Sequence, residues 1–541
     1  MILFDWIWFF IKLVWRLLFG IIRLVGWLIW RSRYDFRAQG ALGTARWATR
    51  WQLFWAGVYR GRGPVVARKA FGRLMRFNQD GVMHVFGAPG AGKGLGIVVP
   101  TLLDYPGSMV VTDVKGENYA ITARYRAKLG KVLMLNPSDL NHSARFNPMD
   151  SIRRETDHEQ DDARTLASLM IVRDSSEGHW AAKATALLTI LILDTLHEPN
   201  PENRTLAMVA KKSVGEFETL LQMVRDIAAR SPSPLARHNA LGFLGTMKHG
   251  DHQAPEFTSV LSDMQKATEI WVEGTPAGRL SAESTFRLED LTAPEVTTLF
   301  FCIDEEKLRS YSRWVRVMTG LTLNAIMRAK YSGRPKHKVV LLLDEARMLG
   351  HLDVLSDNLG LLRTYCTPVL IWQNMPQLRS VYGREEAEAM LGNAACRVFL
   401  GVADNETAQE VSRACGQAPV RTRSRGTSHH AGMNPHENRS RNENESGYWL
   451  VDPSEVQRIP TTRVIIKMRH VANPIFSARV DYRSKWRWLF RWDRWRPQKA
   501  APIVVAPPSP PKGPFVPEPR YEEAPGLVPP PPRNPFTDAR F

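Results

Sequence analysis

Short apolar runs recur along the chain at two places. Runs at 82–86, 109–112 and 132–135 are separated by segments of helical period, and runs of the same kind return at 297–303, 338–343, 368–373 and 396–402. A strand–helix–strand rhythm predicts a parallel sheet. Between the two groups, 155–280 reads as almost wholly helical, with helices predicted over 180–196 and 214–230. One α/β domain in two parts, 81–154 and 286–482, split by an all-helical insertion at 155–285, explains this order better than three separate domains.

The flanks follow other patterns. Residues 1–30 are apolar and aromatic, long enough as a helix to extend about 45 Å and cross a bilayer with tilt. At 100° per residue, Asp5, Lys12, Arg16 and Arg23 fall in one narrow stripe. Two readings are open: a membrane span with its polar stripe toward other subunits or a pore, or an amphipathic anchor lying in the interface. The span is favoured. Arg31, Arg33 and Arg37 follow it, which places the bulk of the chain in the cytoplasm by the positive-inside rule. Residues 31–80 form a basic linker and the start of the core, with Trp47, Trp51 and Trp55 at helical spacing, a pattern of core or interface packing. The polar stretch 421–447 reads as an exposed or disordered loop. Residues 483–500 interleave Arg and Trp. That pattern suits nucleic acid, a membrane interface or a plain packing helix. Fourteen of residues 501–541 are proline, so this end is predicted to be a disordered, polyproline-rich tail.

Composition narrows the function classes. Seventy-two Lys and Arg against 54 Asp and Glu give a formal charge of +18, which favours a polyanion or an anionic membrane face, or else only a solvated basic surface. The four cysteines, Cys302, Cys366, Cys396 and Cys415, form no CxxC pair and have no clustered histidines. They read as reduced core residues, without metal-ligand spacing.

The chemistry is carried by two strand ends. Gly87-Ala88-Pro89-Gly90-Ala91-Gly92-Lys93-Gly94 follows the run Val82–Phe86 and precedes a predicted helix. Strand, glycine-rich loop and helix N-terminus make a Walker A context, in which backbone N–H groups converge on phosphate oxygens. Gly87, Gly90, Ala91, Gly92, Lys93, Gly94 and Leu95 are the expected ATP contacts, with Lys93 reaching the β- and γ-phosphates. Position 94 is Gly where the pattern usually has Ser or Thr to hold Mg²⁺, so water or another side chain must replace that hydroxyl. Val339–Leu343 followed by Asp344 and Glu345 is a Walker B pattern: Asp344 would hold the Mg²⁺ shell and Glu345 would orient or deprotonate the attacking water. Gln373 ends the run Val369–Trp372, where an amide can sense the γ-phosphate. Arg363 lies between the two runs, either as an arginine finger on a neighbouring subunit or as a surface ion pair.

Taken together these motifs resemble the type IV secretion coupling proteins, the ATPases of bacterial conjugation and effector export. The likeness rests on Gly92–Gly96 with Val99–Leu103, on Val110–Asn118 with its Asp113-Val114-Lys115-Gly116-Glu117 core, on Phe146-Asn147-Pro148, on Leu343-Asp344-Glu345, on Gln373–Leu378 with Tyr382-Gly383, and on Asn393-Ala394. It runs from about Gly43 to about Tyr482, and its Lys-Gly after the loop is similar to one branch of the family. The resemblance implies a RecA-like P-loop domain with an inserted all-α domain that selects substrate, an inner-membrane anchor, and a homo-hexamer. It further implies a cargo of single-stranded DNA with relaxase, or effector proteins, passed to a type IV secretion channel, and it matches Arg363 to the arginine-finger position. Family members usually carry two membrane helices around a small periplasmic domain, whereas a single charged apolar segment is found here. Two other readings stand beside an ATP-driven coupling motor: an ATP-binding substrate receptor with little hydrolysis, and a DNA translocase of the same fold outside secretion.

Overall fold

The structure is a computed structural model that describes residues 15, 43–69, 72–172, 178–245, 255–329, 336–357, 362–429 and 437–495. The expected anchor at 1–30, Trp15 excepted, and the proline-rich tail at 501–541 lie outside the described residues. Among the described residues no helix is long and apolar enough to cross a membrane.

Thirteen strands are described: β1 (Val65–Arg68), β2 (Leu74–Arg76), β3 (Val82–Gly87), β4 (Met109–Val114), β5 (Gly130–Leu135), β6 (Val296–Ile303), β7 (Val339–Leu343), β8 (Cys366–Trp372), β9 (Ala394–Leu400), β10 (Gln417–His429), β11 (Glu437–Trp449), β12 (Arg463–Met468) and β13 (Ile475–Ala478). Eleven of them form one sheet in the order β2-β1-β13-β12-β9-β3-β8-β7-β4-β6-β5. From β9 to β5 every pairing is parallel. These are the apolar runs of the sequence, which are buried on both faces, as a parallel sheet with covered faces requires. The sheet is not parallel throughout. β12 turns against β9, and β13, β1 and β2 continue antiparallel, an extension the strand–helix rhythm did not predict.

Alternation along each strand divides the core into two layers. Leu341 and Leu343 of β7 face one side with Leu133, Leu299 and Trp372. There they meet the helices Glu159–Met170, Gly178–Leu196 and Ser312–Arg328. Val340 and Leu342 face the other side with Val85, Val111 and Ile371, and pack on Ile97, Val98 and Leu102 of the helix that follows the glycine-rich loop. The helical region occupies the connection between β5 and β6, where a helix-rich insertion was expected. Its longest described helix, Gly178–Leu196, is built from Leu, Ile and Ala and is stopped by Pro199 and Pro201. Leu206–Lys212 starts under Thr205, whose side chain accepts from the Met208 N–H.

Two segments differ from their sequence reading. Within the 421–447 stretch, the described residues 421–429 and 437–447 are strands and not loop. β10 and β11 pair antiparallel from Gln417↔Trp449 to His429↔Glu437 as a separate two-stranded ribbon. The ribbon is held by main-chain bonds, which do not depend on the apolar alternation that was missing. The Arg/Trp segment is not a continuous helix either. It makes two short turns, Tyr482–Ser484 and Trp486–Trp488, that bury Trp488 and leave Trp486 87% exposed. Lys485 donates to the Gly72 carbonyl, and Arg491 donates to the Tyr125 hydroxyl at 2.9 Å, so the segment works as a strap over the sheet edge. Of the tryptophan stripe, Trp47 packs on Phe476, while Trp51 and Trp55 project from the helix Arg50–Trp55 at 72% and 75% exposure.

Candidate nucleotide site

The site lies at the C-terminal ends of β3, β8 and β7, where ligands bind in open α/β sheets. β3 delivers the loop. Gly90 and Gly92 take φ of 77° and 83°, a left-handed conformation that favours glycine. The chain then enters a helix at Gly94–Val98 and runs on as Val99–Asp104. Lys93 folds back across the loop and donates to the Gly87 carbonyl at 2.6 Å. Burial pulls its ammonium below the usual lysine range, while Asp344 and Glu345 pull the other way. Both predicted carboxylates thus lie within charge range of the lysine.

β8 lies between β3 and β7, and the register sets Phe86 beside Trp372 and Leu343 beside Leu370. The residues that follow therefore converge. Gln373 Nε2 donates to Glu345 Oε1 at 2.8 Å, and Gln377 Nε2 donates to the same oxygen at 3.0 Å. Gln377 is held in turn: its Oε1 accepts from the Gln373 N–H at 2.8 Å. Asn374 caps the helix Met375–Asn393 by accepting from the Gln377 N–H. Glu345 itself sits at φ 62°, ψ 57°, a left-handed conformation that costs a non-glycine residue about 1–2 kcal/mol.

Asp344 is half-buried. Burial raises its carboxyl to about 6, Lys93 opposes the shift and Glu345 adds to it. Thr112 of β4 donates to the Asp344 carbonyl at 2.9 Å and fixes the turn. One strand away, Asp113 is buried and accepts from the N–H groups of Asn118 and Tyr119, closing the start of the helix Glu117–Arg126. Burial raises Asp113 to about 7, against those two hydrogen bonds. Beneath the loop, Trp372 Nε1 donates to His84 Nδ1 at 3.2 Å, tying β8 to β3. Burial, with Arg397 nearby, lowers His84 to about 3 and keeps it the neutral acceptor.

The residues present fit a magnesium–nucleotide. Asp344 offers a carboxylate beside the Lys93 cradle. A Cβ at Gly94 would meet nothing within 4 Å, so the space a Ser or Thr hydroxyl usually occupies is open to water.

The structure thus brings Lys93, Asp344, Glu345 and Gln373 together around the glycine-rich loop. It does not bring Arg363 there. That residue precedes β8, at the opposite end of the strand from Gln373, and is exposed. Gln377 and Thr112 were not singled out as site residues by the sequence. A glutamine one turn after Gln373, directly behind an Asn-x-Pro helix start, was the signal for the first. Arg479, whose Nη1 donates to the Ala91 carbonyl at 2.7 Å, was also missed, and no local pattern announces it. Among the described residues no group of His, Cys, Asp and Glu is placed to hold a metal by itself.

Comparison with known proteins gives this geometry a family. A family model described as type IV secretory system conjugative DNA transfer matches residues 35–497. The conjugal transfer protein TraG of Escherichia coli is 30% identical over 373 residues, which cover 64% of this chain and 57% of that protein. A second Escherichia coli TraG is 29% identical, over 77% of this chain and 71% of its own length. VirD4 of Rhizobium radiobacter is 24% identical, over 83% and 65% respectively. The chain thus spans between about half and seven-tenths of the length of these relatives. Among solved structures, the plasmid coupling protein TrwB in complex with ADP and Mg²⁺ superposes with a TM-score of 0.59 at 17% identity, covering 82% of this chain and 97% of that one. TrwB with the non-hydrolysable ATP analogue ADPNP gives the same TM-score at 18% identity, covering 81% and 93%.

Proposed function

Since the chain belongs to the type IV secretion coupling-protein family, we propose that it is an ATPase that couples DNA–relaxase or effector-protein substrates to a type IV secretion channel at the bacterial inner membrane. The observation that carries the enzymatic part is the Gln373–Glu345–Gln377 cluster beside Lys93. Two amide donors hold Glu345 Oε1 at 2.8 and 3.0 Å. Among the described residues Oε2 accepts no hydrogen bond, which leaves it to take a proton from an attacking water. Gln373, between the loop strand and the acid strand, is placed to bond the γ-phosphate and to shift its hold on Glu345 when it does so. Lys93 exchanges the Gly87 carbonyl for phosphate oxygens on binding. Asp344, with water in the space at Gly94, would hold Mg²⁺, which supplies charge neutralisation on the β- and γ-oxygens. Arg363 acts on a neighbouring subunit in a homo-hexamer. Its exposure, at the end of β8 away from its own loop, supports action in trans.

Steady-state hydrolysis by the purified chain, with and without single-stranded DNA, tests this reading. Lys93→Ala is expected to abolish nucleotide binding. Glu345→Gln is expected to keep binding and lose turnover by roughly 10²–10⁴-fold. If the wild type binds nucleotide and cargo but shows no hydrolysis that these substitutions remove, the chain is a receptor and not a motor.

A further inference from the structure

Arg479 approaches the glycine-rich loop from the antiparallel edge of the sheet. It directly follows β13. Its N–H donates to the Thr462 carbonyl at 2.8 Å, and its own carbonyl accepts from Arg68 Nε at 3.1 Å, so its backbone is fixed to β1 and to the turn before β12. Its side chain crosses to the loop, where Nη1 donates to the Ala91 carbonyl. Two glycines make room for it. A Cβ at Gly92 would stand 1.9 Å from Nη1, and a Cβ at Gly96 would stand 2.7 Å from the Arg479 Cγ.

This placement sets a second cation on the loop that carries Lys93. The guanidinium rests at the N-terminal end of a helix, the positive end of its dipole, on the same short loop as the Lys93 ammonium. A guanidinium has five N–H donors. Among the described residues, the Ala91 carbonyl is the acceptor that its side chain hydrogen-bonds. Asp481, two residues on, feels the charge of Arg479 but takes its hydrogen bonds from Arg483, through the N–H at 3.0 Å, Nε at 3.0 Å and Nη2 at 2.8 Å. Two cations and a helix N-terminus on one glycine face, with donors left over, match a ligand that carries several negative charges.

We propose that Arg479 is a second phosphate-binding cation of this site, supplied within the same chain, and that it contacts the polyphosphate of a nucleoside di- or triphosphate across Gly92 and Gly96. This rests on the reading of the loop as a nucleotide site. Lys93 then serves the β–γ end and Arg479 the part of the polyphosphate nearer the loop's exit. A bidentate guanidinium supplies fixed positive charge where this chain has no Ser or Thr hydroxyl to help order the metal.

Equilibrium titration of the full chain with a fluorescent ATP analogue and the corresponding ADP analogue tests it, alongside the melting temperature without nucleotide. Arg479→Gln is expected to weaken both nucleotides tenfold or more, with little change in the nucleotide-free melting temperature. Arg479→Lys, which keeps the charge but not the fork, should fall between. If Arg479→Gln fails to fold, the Arg479→Lys comparison with wild type still decides. Unchanged affinity in the folded variants, or a lowered melting temperature with affinity within threefold of wild type, overturns the proposal. Should wild type bind neither nucleotide, the reading of the loop falls and takes this proposal with it. Should wild type bind and Lys93→Ala abolish binding while the Arg479 variants bind normally, only the role of Arg479 falls.

Discussion

At the scale of single residues, the site's acids are held in unequal states. Asp113 sits fully buried, with two main-chain donors to one carboxylate and Asp344 close by. Its folded-state value of about 7 lies above the ordinary range near 4. The folded chain therefore binds a proton that the unfolded chain has released. The resulting stabilisation is complete below pH ~4 and declines as pH rises through 7. Asp113→Asn, which mimics the neutral acid, should flatten the fall of the denaturant midpoint between about pH 4 and 7; a slope as steep as wild type would show that Asp113 is already ionised in the fold. Lys93 was legible from the glycine-rich loop after one apolar run, and Asp344, Glu345 and Gln373 because they directly follow two others; a buried parallel strand projects its C-terminal residues into one place. Arg479 was not legible. Its contact with Ala91 depends on β12 and β13 folding back against β9, which no local spacing encodes.

At the scale of elements, the helical region is joined to the nucleotide half through the helix Ser312–Arg328. Its Gly320 lies against Leu169 near the end of Glu159–Met170, and a Cβ there would stand 2.3 Å from a Leu169 methyl. On the same helix, Arg316 is buried and donates to the Leu169 carbonyl at 3.1 Å, to the Leu349 carbonyl at 3.1 Å and to the His351 carbonyl. One side chain thus joins the end of an insertion helix to the turn just beyond Glu345. Gly320→Ala should cost about 1–3 kcal/mol through overpacking. Leu169→Ala alone should cost about 2–5 kcal/mol. Combined, the two should be markedly less destabilising than their sum, because truncating Leu169 frees the space that a methyl added at Gly320 needs. Additive losses in chemical denaturation would mean that the helices separate enough to accommodate the methyl. The helices and parallel strands were readable from their periodicity. The β10–β11 ribbon was not, since it pairs apart from the main sheet through main-chain bonds, and its run of Arg, Asn, Ser and His has no apolar alternation to announce it.

At the scale of the whole molecule, the charge of +18 bears on the cargo. If single-stranded DNA is the polymer moved, its affinity should fall linearly with salt on logarithmic axes, by about 0.7 for each phosphate contact. Fluorescence anisotropy between 50 and 300 mM salt would show this, and a flat response would favour a protein cargo instead. The central parallel half of the sheet could be foreseen because a P-loop sheet has a fixed logic of strand ends. The breadth of the sheet could not, since its antiparallel extension is made from segments at both ends of the described chain, β1 and β2 near its start and β12 and β13 near its close.

That extension also determines where force would enter. Ahead of the helix Arg50–Trp55 two main-chain bonds fasten the chain: Ala45 N–H to the Gln417 carbonyl at the root of the ribbon, and Ala48 N–H to the Pro474 carbonyl in the turn before β13. Trp47 lies on Phe476 between them. A pull on the chain ahead of Gly43 would be borne first by these two bonds, then by the β12–β13 pair and by β9, the strand beside the one that carries the phosphate loop. Tension on the leading segment and occupancy of the loop would therefore meet in one piece of sheet, and Arg479 stands where the two paths cross.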